Sequence, residues 1–191
     1  MSKYFEIRWH GRGGQGTVTG AKSLAEAVQG TGLYVIAFPE YGPERRGAPV
    51  KAFNRFYKDK IRIHSPVISP DVVIIVDPTL IGNTEVKIGI SENTIFIINS
   101  EKSAETIKKE LDLYSQKVFT VPADKISFQL FKREIPNSAM MGAFSRACGK
   151  IISIEKLIEE SGHIFADILG KELVERNLEA IRKGFKEGDQ A

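Results

Sequence analysis

The sequence predicts an α/β fold: a three-layer, Rossmann-like unit with a mostly parallel open sheet, helices on both faces and an inserted β-hairpin. Three observations carry this reading. The glycine-rich segment Gly11-Arg12-Gly13-Gly14-Gln15-Gly16 lies between a stretch of alternating polarity and an amphipathic one. The run Val72-Val73-Ile74-Ile75-Val76 is continuously apolar, as suits a parallel strand covered on both faces. Strand-like and helix-like segments then alternate down the chain, which is the pattern of parallel α/β folds.

In chain order, residues 5–10 alternate apolar and polar and read as a strand. A helix fits 17–29, with Val18, Ala21, Ala25 and Val28 on one face and Gly30 and Gly32 closing it. Tyr34-Val35-Ile36-Ala37-Phe38 is a second strand, completing a strand–turn–helix–strand unit. A Pro/Gly-rich loop, Pro39 to Pro49, follows. Val50 to Phe56 and Ile61 to His64 read as a hairpin around Tyr57-Lys58-Asp59-Lys60. Residues 71–78 form the clearest buried strand, 94–99 another and 118–121 a shorter one, with a helix at 103–112 between the last two. Ser138 is placed to cap a helix at 139–151, and Ser153 to cap the next. A final helix over 171–186 aligns Val174, Leu178, Ile181 and Phe185.

With 191 residues and no compositional break, residues 1–191 are expected to form a single domain. A net charge of +3 comes from cations interspersed with Asp and Glu, which reads as a mixed solvated surface and not a nucleic-acid stripe. No apolar run approaches the roughly 20 residues needed to cross a bilayer, and the start of the chain has no signal-peptide pattern. The expectation is a cytoplasmic protein that binds neither nucleic acid nor membrane. A single cysteine, Cys148, excludes an intrachain disulfide and any all-cysteine cluster site; it lies beside Phe144 and Ile151 and reads as core. His64 and His163 stand apart from other candidate ligands, so no metal site is expected. His10 reads as a hydrogen-bonded structural histidine, Asp77-Pro78 as a turn at the ligand edge of the sheet, and Met140 and Met141 as core residues.

Gly11, Gly13 and Gly16 match G-x-G-x-x-G after a strand and before a helix, the context in which this pattern has a mechanism. Glycine permits the tight turn and the approach of backbone to phosphate, while the helix N-terminus offers N–H groups to an anion. A purely structural reading, a turn that packs helix on sheet, stays open. Thr17-Val18 follow Gly16, so the lysine of a P-loop is absent. Glu40 lies near the position of a dinucleotide-binding acid but within Pro39-Glu40-Tyr41-Gly42-Pro43, a loop of different character. A stand-alone nucleotide-binding oxidoreductase is the alternative from this motif by itself.

The segments GRGGQGTVTGAKSLAEA (11–27) and AFPEYGPERRGAPVKAFNR (37–55) occur together. With Pro70-Asp71-Val72-Val73, Asp77-Pro78-Thr79-Leu80, Asn137-Ser138-Ala139-Met140-Met141-Gly142-Ala143 and Glu175-Arg176-Asn177-Leu178-Glu179-Ala180, they cover nearly the whole chain. This set resembles the gamma subunit, or fused gamma domain, of thiamine-diphosphate-dependent 2-oxoacid:ferredoxin oxidoreductases. The form of the second motif is more similar to the pyruvate and 2-oxoisovalerate subgroup than to relatives acting on 2-oxoglutarate; indolepyruvate is a further alternative.

The resemblance implies oxidative decarboxylation of a 2-oxoacid with coenzyme A, the electrons passing to ferredoxin, by an assembly in which this chain is not catalytic alone. Thiamine diphosphate and the iron–sulfur clusters are then expected in partner subunits, since this chain has neither a GDG…NN motif nor the cysteines. The implied partners are alpha, beta and delta subunits, with ferredoxin met indirectly. No cofactor is expected on this chain alone. Its implied share is assembly and part of the coenzyme A site. Gly11, Gly13, Gly14 and Gly16 would form an anion cradle, Gln15 would add an amide, and Arg12, Arg45 and Arg46 would supply forked cationic contacts to phosphate. A salt bridge from Arg45 or Arg46 to Glu40 or Glu44 remains the other reading of those arginines.

Overall fold

The computed structural model describes residues 4–40 and 47–191. Its seven strands are β1 (Phe5–Arg12), β2 (Tyr34–Pro39), β3 (Pro49–Tyr57), β4 (Val72–Ile75), β5 (Ile95–Asn99), β6 (Lys117–Val121) and β7 (Asp189–Gln190). Among the described residues the six α-helices are α1 (Thr17–Gln29), α2 (Ala104–Glu110), α3 (Ala123–Phe131), α4 (Asn137–Ala147), α5 (Ile154–Ala166) and α6 (Lys171–Lys186). One open sheet runs in the order β2-β3-β1-β4-β5-β6-β7. β1, β4, β5 and β6 are parallel, while β3 runs antiparallel to both β1 and β2, and β7 antiparallel to β6.

The parallel centre and the flanking helices agree with the sequence reading; the hairpin does not. Residues 61–64 form no strand, and β3 instead enters between β1 and β2. Two antiparallel steps restore the direction of β2 to that of β1, so the strand–helix–strand unit is split by an inserted neighbour. The carbonyls of Ile63 and Ser65 are taken by the buried guanidinium of Arg55, at 2.8 and 3.2 Å, which satisfies that backbone without a ladder.

The side-chain period of two sorts each strand into two cores. Ile7 and Trp9 of β1, with Val72 and Ile74 of β4, face α1, α4 and α6. Val73, Ile75, Phe96 and Ile98 face the other way, toward Ile107 of α2 and the short turns carrying Leu80 and Val86. Helices therefore cover both faces, but unequally: α2 is the one α-helix in the second cluster among the described residues.

Ser153 caps α5 as expected, and Ser103, read as the first residue of its helix, caps α2; each hydroxyl accepts at 3.3 Å from the amide three residues on. Ser138 does not cap α4. The helix begins at Asn137, and Ser138 instead donates its hydroxyl to Asn177 Oδ1 at 2.7 Å, joining α4 to α6. These helices pass closely enough that a Cβ on Gly142 would lie 2.0 Å from the Ile181 carbonyl oxygen, and one on Gly184 2.0 Å from that of Ala139. α3 and β7 were not expected. α3 follows Pro122 and ends at Lys132 in the left-handed region, a position where sequence reading looks for glycine.

Candidate functional site

The glycine segment begins inside β1, which runs to Arg12, and turns at Gly13–Gly16 into α1. Gly14 and Gly16 have φ of +100° and +76°, which explains their residue type. Gly11 is glycine for a different reason: a Cβ there would meet Thr17 Oγ1 at 2.1 Å, so β1 and the first turn of α1 touch through it. Gly16 leads into α1 without any side-chain cap, leaving the helix's first amides unclaimed by a side-chain acceptor. Space beside Gly14 is open.

The turn is clamped from two sides. Gly13 N–H donates to the Ala48 carbonyl at 3.0 Å, and Gly47 N–H donates back to the Gly13 carbonyl at 3.2 Å. Gln15 spans the turn: its Oε1 accepts from Arg12 N–H at 2.8 Å, and its Nε2 donates to Asp77 Oδ2 at 2.7 Å. Arg12 donates to Thr79 Oγ1 at 2.9 and 3.2 Å and to the Gly47 carbonyl at 3.0 Å, with Nε 3.3 Å from Asp77 Oδ2. Arg12 and Gln15, read from sequence as ligand contacts, here brace the turn. Arg12 keeps about a third of its side chain in solvent, so an anion can still share its charge.

Asp77 is the centre of that bracing and holds the turn that the sequence reading gave it. Its Oδ1 accepts from both the amide and the hydroxyl of Thr79, at 2.8 and 2.5 Å. Burial by itself would raise the carboxyl's pKa. The hydrogen bonds from Thr79 and Gln15, with the Arg12 guanidinium, outweigh burial and hold it below the ordinary carboxylate range. An Asp-Pro-Thr directly after a buried strand was the available signal, because Asp in that place caps the following turn.

Farther along the same edge, Arg8 and His10 point to the face opposite α1. Arg8 Nε donates to His10 Nε2 at 3.0 Å, and its Nη2 reaches the carbonyls of Glu85, Val86 and Ile88 at 3.3, 3.2 and 2.8 Å. Burial, with the charges of Arg8 and Lys51, pushes the His10 pKa down to about 3, so the ring is neutral. Lys51 lies between Glu40 and Glu85 at 3.1 and 3.0 Å, over a small cleft of about 210 Å³ that His10 also lines. On the other flank Asn137 packs against the turn, its Nδ2 3.0 Å from where a Cβ of Gly16 would stand. Asn137 was quoted from the sequence for resemblance only; its contact with the glycine turn needed the fold.

Arg45 and Arg46 lie outside the described residues. Cys148 is buried at the end of α4, and burial pushes its thiol up to about 12, away from both nucleophile and ligand chemistry. Among the described residues no group of three His, Cys, Asp or Glu side chains could hold a metal ion, and no helix is long and apolar enough to cross a membrane.

Comparison with known proteins adds the family. Residues 6–187 match the family model described as Pyruvate ferredoxin/flavodoxin oxidoreductase. Over 185 residues the chain is 43% identical to the pyruvate synthase subunit PorC of Thermotoga maritima, covering 97% of this chain and 95% of that protein. It is likewise 43% identical to the pyruvate/ketoisovalerate oxidoreductases common subunit gamma of Pyrococcus abyssi, over 95% of each chain. The crystal structure of pyruvate oxidoreductase subunit PORC from Thermotoga maritima superposes with a TM-score of 0.85 at 39% identity, covering 100% of this chain and 99% of that one. A 2-oxoglutarate:ferredoxin oxidoreductase from Magnetococcus marinus, 23% identical, shares the fold with a TM-score of 0.74 over 31% of its own length. The chain belongs to the pyruvate ferredoxin/flavodoxin oxidoreductase family, as a gamma-type subunit of a multisubunit oxidoreductase.

Proposed function

We propose that this chain, acting as one domain over residues 1–191, is the gamma subunit of a pyruvate:ferredoxin oxidoreductase and forms part of its coenzyme A site. It would work with alpha, beta and delta subunits that carry thiamine diphosphate and the iron–sulfur clusters and meet ferredoxin. With one buried cysteine, this chain's donor set does not fit a cluster. Because relatives include gamma subunits named for both pyruvate and ketoisovalerate oxidoreductases, 2-oxoisovalerate is the second substrate to test.

The observation that carries the coenzyme A reading is the reciprocal pairing of Gly13 with Gly47 and Ala48. It ties the glycine turn to the chain directly after Arg45-Arg46. Arg46 directly precedes Gly47 in the sequence. The uncapped N-terminus of α1, the open space at Gly14 and the Arg12 guanidinium, paired with Asp77 but still partly exposed, then suit a pyrophosphate, with Arg45 and Arg46 assigned to a second phosphate. Arg12 and Gln15 act mainly by holding the cradle's shape.

Steady-state kinetics of the assembled enzyme test this. Arg45→Ala or Arg46→Ala is expected to raise the KM for coenzyme A roughly ten- to a hundredfold, corresponding to about 1.5–3 kcal/mol for a charge-assisted contact, and to leave the KM for pyruvate near that of the wild type. Equal effects on both substrates, together with weakened assembly, would assign those arginines to a salt bridge instead.

A further inference from the structure

Beside the glycine turn lies a separate cleft of about 540 Å³. It lies between the α5–α6 corner, the end of α3 and the first turns of α1 and α4. Phe131, Met141, Phe165 and Leu169 make its apolar floor. Two features distinguish it from an ordinary surface hollow. At its mouth stand Ile168 and Leu173, 72% and 45% exposed, so the apolar surface continues outward onto the protein's exterior. The charged side chains lining it are both arginines, Arg133 and Arg176, with no carboxylate among the lining residues. Arg176 is partly neutralised by Glu172 and donates to the Leu130 carbonyl at 3.2 Å. Among the described residues, the exposed Arg133 guanidinium has no partner.

We propose that this cleft seats a segment of a partner subunit that inserts an apolar side chain onto the floor and sets a carboxylate against Arg133. The inference rests on the reading of this chain as a subunit of a heteromultimer. An apolar floor with an apolar mouth and an arginine at the rim is the composition of an interface centre, where an anchor residue is enclosed and a charge pair fixes its register. A small molecule inside the cleft would leave Ile168 and Leu173 in water; a chain crossing the mouth covers them. Charge selects an acidic segment over a basic one. Asn137 lines both this cleft and the flank of Gly16, so the seated segment would lie beside the start of α1.

The test is association of this chain with the remaining subunits, measured by sedimentation for the wild type and for Arg133→Glu, Ile168→Asp and the milder Ile168→Ser. All three changes fall on exposed side chains, and the melting temperature of each isolated variant checks its fold. The expected result is unchanged melting and at least tenfold weaker association, with Arg133→Lys near wild type. Wild type that fails to associate would remove the heteromultimer reading and this surface with it. Wild type and variants that associate equally would overturn the docking surface alone. Variants that assemble normally but need more coenzyme A would make the cleft a small-molecule site, which also overturns the proposal. So would an isolated wild-type chain that self-associates and loses this in Ile168→Asp, because the occupant would then be a second copy.

Discussion

Arg8 donates its Nε proton to His10 Nε2 across 3.0 Å, on the buried face of the first strand. Burial first, then the charges of Arg8 and Lys51, keep His10 neutral, and a protonated imidazole would have no lone pair at Nε2 to accept this bond. Its pKa falls from an ordinary 6.5 to about 3.

The first prediction follows from that depression. In the unfolded chain His10 binds a proton below about pH 6.5, while the folded chain resists it down to about pH 3. The stability involved is fully present above pH 6.5 and is lost as pH falls, by up to about 1.4 kcal/mol per pH unit. His10→Gln keeps an acceptor for Arg8 and removes the titration. Urea melts of both proteins at pH 7 and pH 5 should show the wild type losing more stability than the variant; parallel losses would mean His10 titrates normally.

Cys148 should be inert in the folded protein. Its thiol is buried and raised to about 12, so little thiolate forms at neutral pH and reagent access is blocked. Alkylation followed over increasing denaturant should track global unfolding. Rapid labelling of the native chain would contradict this.

Within the glycine turn the two kinds of glycine should separate. Gly14→Ala places a side chain in open space at φ +100°, costing about 1–2 kcal/mol of backbone strain. Gly11→Ala drives a methyl group into buried Thr17 Oγ1, which makes no hydrogen bond of its own. Thr17→Ala should recover part of that loss in the double variant but none of the loss in Gly14→Ala. Thermal melts of the wild type, the three single variants and the two double variants measure the coupling.

Gly142→Ala and Gly184→Ala each place a Cβ 2.0 Å from a backbone oxygen of the opposing helix. Either change should force α4 and α6 apart and cost about 1–3 kcal/mol or more, read as a drop in denaturation midpoint. The α4–α6 hydrogen bond from Ser138 to Asn177 should lengthen with it.

These cases show what could be read from the sequence and what could not. β4 was legible because five consecutive apolar residues have few other uses, and α1 because its apolar face recurs at the helical period. Ile61-Arg62-Ile63-His64 alternates just as well, yet it is irregular, since alternation states which face is apolar and not whether a neighbouring strand exists. The insertion of β3 was hidden for the same reason: sequence order does not specify spatial order. At the site, the position of the glycine turn was legible from local pattern. The bracing contacts of Arg12 and Gln15 were not, because the carboxylate that engages them sits in the turn after β4, some sixty residues on, as the separation of Gln15 from Asp77 shows.

The insertion of β3 also fixes an order of events for a chain emerging from the ribosome. β1 is made early, but its two flanks are residues 49–57 and 72–75. Until the second of these has been synthesised, β1 has at least one open edge, a template for pairing with other chains. The 2.6 Å ion pair between Glu6 and Arg55 then closes a long loop in a single contact. Formation of the sheet therefore waits on loop closure, a slow search, while α1 can form within its own segment. A nascent chain halted before residue 72 would be the species most in need of protection from its neighbours.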